Sequence, residues 1–186
     1  MFMEQVDIGL VNGRFQVLHL DHMKYILEAK KHCKKLIIGI TSPDPWQSPA
    51  ESCDENRGKS TTNPCTYYER MIMIENALVE AGIPCSEFVI TPFPIGFPER
   101  IEYYAPQDAI YFLTIYDSWG EEKLKRLKNL NLKTYVLWKS KDKGISATKV
   151  RNAIIQSAPW EQMVYPSTAR IIKELGIDER IRALNF

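Results

Sequence analysis

Short apolar runs alternate with amphipathic stretches along most of this chain, and that alternation leaves few folds open to it. Asp7–Asn12, Leu36–Thr41, Glu87–Thr91, Ala109–Ile115 and Thr134–Trp138 read as strands. Leu36–Thr41 (Leu-Ile-Ile-Gly-Ile-Thr) is apolar on both faces, as a parallel strand covered on both sides by helices is. Asp21–Cys33 carries Met23, Ile26, Leu27 and Ala29 at helical spacing. Thr66–Ala81, Pro98–Tyr104 and Gly120–Leu130 follow the same period. Strand–helix alternation with right-handed crossovers predicts an α/β fold. Its sheet would have five parallel strands in the order 3-2-1-4-5, flanked by helices. Beyond Gly144 the pattern is helical only, over Ser146–Gln156, Ser167–Leu175 and Asp178–Leu184. With 186 residues the expectation is a single domain over 1–186, with an α/β core at 1–144 and C-terminal helices at 145–186.

Local signals sharpen that outline. Thr66-Tyr67-Tyr68-Glu69 is a capping box, in which the Thr66 hydroxyl takes the Glu69 N–H and the Glu69 carboxylate reaches back. Before it runs Ser42–Pro64, which holds Pro43, Pro45, Pro49 and Pro64 and is too long for a plain connector. It follows a strand whose C-terminal end should face a binding crevice, so a loop that closes over a ligand is the sharper expectation. Gly58-Lys59-Ser60 resembles the end of a phosphate-binding P-loop, but Cys53 stands where the leading glycine is required.

Charge and cysteine usage narrow the partners. The formal net charge is +1, which removes the general reason to expect nucleic acid or an anionic membrane surface. Ten bases against three acids between Glu121 and Arg151 make that stretch, about one sixth of the chain, locally basic, which suits a small anionic ligand. Cys33, Cys53, Cys65 and Cys85 lack Cys-x-x-Cys spacing, and with three histidines they build no zinc set, so no metal-ligating residues are assigned. Cys33 and Cys85 read as small packing residues. Met-Phe-Met-Glu-Gln-Val-Asp at the N-terminus is unlike a signal peptide, and the apolar run near Ala109–Tyr116 is too short to span a bilayer. The expectation is a cytoplasmic protein without a membrane partner, with a homo-oligomer left open.

Two segments could carry chemistry. Gly13-Arg14-Phe15-Gln16-Val17-Leu18-His19-Leu20-Asp21-His22 lies between the first strand and the first helix. Gly13 would allow a sharp turn there. His19 and His22 would converge at a helix N-terminus, whose free N–H groups and partial positive charge, together with Arg14, suit phosphate. The second segment, Gly144-Ile145-Ser146-Ala147-Thr148-Lys149-Val150-Arg151, offers Ser146 as an N-cap, with Thr148, Lys149 and Arg151 around another helix start. Taken singly each is an ordinary helix start. Trp119, in a loop at a strand's C-terminal end, is a candidate for stacking a base, whereas core packing suits Trp138 better.

Together the two segments resemble the nucleotidyltransferase superfamily, whose signatures are His-x-Gly-His and Ile-Ser-Ser-Thr-x-x-Arg. The Gly13–Gln16 lead-in, Asn63-Pro64-Cys65-Thr66-Tyr67-Tyr68-Glu69-Arg70 and Ala81-Gly82-Ile83-Pro84 are similar to its nicotinamide-mononucleotide adenylyltransferase branch. The resemblance runs from Ile8 to about Ile154. It implies a Rossmann-like sheet, ATP as substrate, Mg²⁺ and release of pyrophosphate. His19 and His22 would hold the triphosphate, Ser146, Thr148 and Arg151 would grip its far end, and Arg14 would sit near the transferred phosphate. Gly13, Phe15, Gln16 and Lys149 would complete the nucleotide site. There are departures. Asp21 replaces the motif glycine, where it could cap the helix or repel phosphate. Val17 replaces a frequent proline and Ala147 a serine. Tyr116-Asp117-Ser118-Trp119-Gly120 is similar instead to the Asp-Asp-Trp segment of cytidylyltransferases, which adds Asp117 and Trp119 to the nucleotide site and leaves ATP or CTP as the substrate.

The implied reaction needs little covalent help. An oxygen of a small phosphorylated acceptor attacks the α-phosphorus in line, and the protein positions two anions and stabilises charge growing on pyrophosphate. The expected activity is adenylyl transfer to nicotinamide mononucleotide. The alternatives are cytidylyl transfer to an alcohol phosphate, or a nucleotide-binding module impaired in catalysis by Asp21.

Overall fold

The computed structural model describes residues 5–42, 60–142 and 144–184. Five strands, β1 (Val6–Gly13), β2 (Cys33–Thr41), β3 (Phe88–Phe93), β4 (Ile110–Ile115) and β5 (Thr134–Lys139), pair in parallel in the order β3-β2-β1-β4-β5. This is the order that the alternation implied. The helices are α1 (Leu20–Lys31), α2 (Tyr67–Glu80), α3 (Ser118–Asn129), α4 (Ala147–Ile155), α5 (Pro166–Glu174) and α6 (Ile177–Ala183). Strand order reverses between β1 and β4, and a crevice opens at the C-terminal ends of strands at such a point.

The period-2 pattern divides the core between the two faces of the sheet. Val11 and Ile38 join a cluster with Met23, Ile26, Ile74 and Ile154, beneath α1, α2 and α4. Their neighbours Leu10 and Ile37 join the opposite cluster with Phe93, Tyr111 and Leu127. The C-terminal helices pack on the first face through Ile171, Ile172, Ile177 and Ile181.

Two expected elements change. The first helix stops at Lys31 rather than Cys33, because Cys33 opens β2 opposite Val6. Its sulfur fills the space over Gly9, where an added Cβ would lie 2.7 Å from Cys33 Sγ. Pro98–Tyr103 is a 3₁₀ segment instead of an α-helix. Ile101 is its one buried residue, so no apolar stripe holds a regular helix against the sheet. The loop expected over Ser42–Pro64 lies, through residues 43–59, outside the described residues, as do Gly58 and Lys59 of the P-loop-like segment and Cys53.

Residue 69 anchors the tail. Its carboxylate accepts from the Thr66 N–H at 2.8 Å, and the Thr66 hydroxyl accepts from the Glu69 N–H at 3.2 Å, which completes the expected capping box. The same carboxylate receives both ends of the Arg180 guanidinium from α6, at 2.8 and 2.9 Å.

Candidate active site

Three helices begin where strands end. The chain runs from β1 into α1, from β4 into α3 and from β5 into α4, and each helix has a side-chain N-cap. The His19 Nδ1 accepts from His22 N at 3.3 Å, the Asp117 Oδ1 from Gly120 N at 3.0 Å, and the Ser146 Oγ from Lys149 N at 3.2 Å. All three caps line one cleft of about 740 Å³. The positive ends of three helix dipoles therefore face the same space.

The first motif is built tightly. His19 and His22 stack with ring centroids 3.6 Å apart. Phe15, fully buried, meets the His22 ring edge-on at 5.0 Å. Gly13 does not supply a turn through left-handed backbone: that conformation falls on Phe15, at φ 53°. Gly13 is needed for space instead, since a Cβ there would approach the Phe15 ring to 2.9 Å. Because His19 Nδ1 accepts the capping bond, its proton sits on Nε2 and that atom serves as a donor. Burial, followed by the charge of Arg151, lowers the His19 pKa to about 4. Burial, followed by the charges of His19 and Arg14, lowers that of His22 well below the usual range. Both rings are neutral donors at pH 7.

Asp21 has a role other than the capping one expected of it. His19 is the cap, and Asp21 Oδ2 accepts from the backbone N–H of Ile145 at 3.0 Å. This bond straps the second motif to the first. It also accounts for Gly144, where an added Cβ would fall 2.7 Å from the same oxygen.

In the second motif Arg151 is buried, and its guanidinium donates to the Gln16 carbonyl and to Thr148 Oγ1 at 3.3 Å. Burial, then the nearby charge of Arg14, lowers the pKa of Arg151. Lys149 stands apart from the other expected residues. It does not line the cleft, and its Nζ donates to the Gly144 carbonyl at 2.6 Å, fastening the loop from outside. Gln16 lines the cleft, but its side chain is committed to a reciprocal pair with Cys65. Nε2 donates to the Cys65 carbonyl and Oε1 accepts from its N–H, both at 2.8 Å. Trp119 occupies the first turn of α3 rather than a loop, lines the cleft, and carries the Arg126 guanidinium 5.0 Å from its ring centroid.

The cleft thus gathers Gly13, Arg14, Phe15, Gln16, His19, His22, Asp117, Trp119, Ser146, Thr148 and Arg151. It adds residues not expected in the site, among them Asn12, Thr41 and Thr114. A polar residue ending a buried strand, as Asn12 does in Ile-Gly-Leu-Val-Asn, was the available signal. Arg70 was visible only as part of a resemblance. It is almost fully buried in α2 and donates to the carbonyls of Arg14 at 2.9 Å, Thr41 and Ser42 at 2.8 Å, and Thr66 at 3.1 Å. It thereby sets the backbone at the ends of β1 and β2. Burial lowers its pKa to about 10, with Arg14 acting in the same direction.

Among the described residues no group of three or more His, Cys, Asp or Glu is placed to hold a metal ion. The cleft carboxylates are Asp21 and Asp117, and both already accept backbone N–H groups. Among the described residues, the side chains do not by themselves build a protein-held Mg²⁺ site. Cys33 and Cys65 are buried, and burial raises their thiol pKa values to about 11 and 12. Cys85 is exposed, contrary to its expected packing role. No helix among the described residues is long and apolar enough to cross a membrane.

The sequence pattern described as cytidylyltransferase-like matches residues 10–153, which span both motifs, the second half of β1 and the other four strands. The chain belongs to the cytidylyltransferase-like family. It is similar to a phosphonoformate cytidylyltransferase of Streptomyces viridochromogenes, at 50% identity over 98% of this chain and 100% of that protein. It is also similar to a nicotinamide-nucleotide adenylyltransferase of Pyrococcus furiosus, at 31% identity over 95% of this chain and 88% of the relative. The fold is shared with a bifunctional NMN adenylyltransferase/ADP ribose pyrophosphatase from Francisella tularensis, with a TM-score of 0.71 at 19% identity. That match covers 97% of this chain and 53% of the bifunctional protein. This member of the family is a nucleotidyltransferase, with the features of both branches that its motifs displayed.

Proposed function

We propose that the enzyme transfers a cytidylyl group from CTP to a small phosphonate such as phosphonoformate, releasing pyrophosphate. The observation that carries this reading is the 50% identity to the phosphonoformate cytidylyltransferase over the full length of that protein, against 31% for an adenylyltransferase. The reading replaces adenylyl transfer to nicotinamide mononucleotide as the preferred activity. The Tyr116–Gly120 segment, which distinguished the chain from adenylyltransferases, supports it from inside the cleft.

The residues have parts to play in such a transfer. Nucleotide phosphates lie against the N-termini of α1 and α4, where backbone N–H groups, His19 Nε2–H, Ser146, Thr148 and Arg151 donate. An oxygen of the acceptor phosphonate attacks the α-phosphorus. A P–O bond forms there as the bond to the β-phosphate oxygen breaks, and both electrons leave with pyrophosphate. Neutral imidazoles and a buried guanidinium aimed at the leaving group stabilise the charge that grows on it. Arg14 holds the acceptor anion close to the donor and offsets the repulsion between them.

Pyrophosphate release with CTP or ATP, each offered phosphonoformate or nicotinamide mononucleotide, tests the proposal. The expected productive pair is CTP with phosphonoformate. Faster turnover of ATP with nicotinamide mononucleotide would overturn it.

A further inference from the structure

The buried polar atoms of the cleft wall that lack a hydrogen-bond partner include Asn12 Nδ2 and Thr41 Oγ1, besides His22 Nδ1 at the start of α1. Asn12 and Thr41 are each only 3% exposed. They also share a face of the sheet. Asn12 pairs with Gly39 across β1 and β2, so Thr41, two residues further along β2, projects from the same side as Asn12. Beneath them, Leu10 and Ile37 belong to the apolar cluster that contains Phe93 and Ile95. Met23 and Ile26 of α1 and Val150 and Ile154 of α4 belong to the opposite cluster. The helix ends assigned to the triphosphate therefore lie over one face of the sheet, and the Asn12–Thr41 pair lies over the other. Arg14, which lines the same cleft, follows Asn12 by two residues, and its charge is felt by His22, Arg70 and Arg151.

Buried donors without partners are destabilising unless a ligand satisfies them. An amide N–H and a hydroxyl on the same face of adjacent strands, near a concentration of positive charge, complement a group that is anionic and only accepts hydrogen bonds. We propose that Asn12 and Thr41 bind a carboxylate on the acceptor, while the acceptor's reacting phosphonate lies at Arg14. The inference rests on the cytidylyl-transfer reading and deepens it. The preferred acceptor is a compact dianionic molecule with a carboxylate close to its phosphonate. Analogues lacking the carboxylate leave both donors unpaired, a penalty that a site built for hydrogen bonds imposes more steeply than shape alone does.

The test is steady-state kinetics with CTP and either phosphonoformate or methylphosphonate, which lacks the carboxylate. The variants are Asn12→Leu and the near-isosteric Thr41→Val. In the wild type, phosphonoformate is expected to exceed methylphosphonate in kcat/KM by roughly 100-fold. Thr41→Val should raise the KM for phosphonoformate about tenfold and leave the KM for CTP unchanged. Asn12→Leu should do the same, and if thermal melting shows it unfolded, Thr41→Val alone carries the comparison. An unchanged phosphonoformate KM in folded Thr41→Val, or equal wild-type use of the two acceptors, would overturn the subsite while leaving cytidylyl transfer intact. A wild-type enzyme that releases no pyrophosphate from CTP with phosphonoformate would overturn the cytidylyl-transfer reading, and the subsite with it.

Discussion

Asp21 Oδ2 accepts the Ile145 N–H at 3.0 Å, joining the first turn of α1 to the loop before α4 across 124 residues of chain. The N-terminal ends of α1 and α4 are thereby tied together by one charge-assisted bond. Asp21→Gly is expected to weaken CTP binding about tenfold, because the loop carrying Ser146 and Thr148 loses its strap. Asp21→Asn keeps an acceptor oxygen and should stay within about threefold of wild type. Calorimetric titration with CTP reads both. Tighter binding by Asp21→Gly would mean that carboxylate–phosphate repulsion outweighs the strap.

His19 has two separable duties. As N-cap it accepts from His22 N, and through Nε2 it donates into the cleft. His19→Asn preserves a capping oxygen, so its melting temperature should stay near that of the wild type while kcat falls about 10²–10³-fold. His19→Ala should lose the same turnover and, in addition, about 1 kcal/mol of stability. A fully active His19→Asn protein would remove His19 from the leaving-group site.

The depressed histidines predict a pH dependence of known sign. The pKa of His19 is about 4 in the folded chain, against 6.5 for the unperturbed group. The unfolded chain therefore binds the proton first as pH falls. Stability is complete above about pH 6.5 and declines from there towards pH 4. Nucleotide phosphates beside the ring raise its pKa, so binding takes up protons. Titrations near pH 6 in buffers of different ionisation enthalpy should show net uptake with CTP, reduced in His19→Asn. Zero uptake would place the triphosphate away from the rings.

Arg70 is a buried cation satisfied by backbone carbonyls of Arg14, Thr41, Ser42 and Thr66. Arg70→Lys cannot reproduce a planar fork reaching all four. It should cost about 3 kcal/mol in chemical denaturation and weaken binding of CTP and acceptor together, since both β1 and β2 ends relax. A stability within about 0.5 kcal/mol of wild type would show that the clamp is dispensable.

The sheet was legible because its signal is repeated. Each strand–helix unit carries its own apolar period, and Leu10/Val11 and Ile37/Ile38 place neighbours in opposite clusters as a two-residue alternation demands. The site was legible where its chemistry rests on helix starts, since Ser146, Asp117 and His19 are each next to the helix they cap. What stayed hidden depends on contacts distant in sequence. Nothing local to Asp21 announces Ile145, nothing near Gln16 announces Cys65, and a guanidinium in α2 looks like surface charge until the carbonyls at two strand ends converge on it. Pro98–Tyr103 failed as a helix because composition alone does not show whether a face will find the core.

The bidentate pair between Glu69 and Arg180 joins residues 111 apart, and Arg180 also donates to the Pro64 carbonyl at 2.9 Å. The start of α2, which carries the Arg70 clamp, is thus closed by a helix more than a hundred residues further along the chain. All five strands precede α6 in the chain, so the start of α2 is anchored by a helix that belongs to no strand–helix unit of the sheet. A change in α6 therefore reaches the cleft through Glu69 and the neighbouring Arg70 clamp, although no residue of α6 lines it.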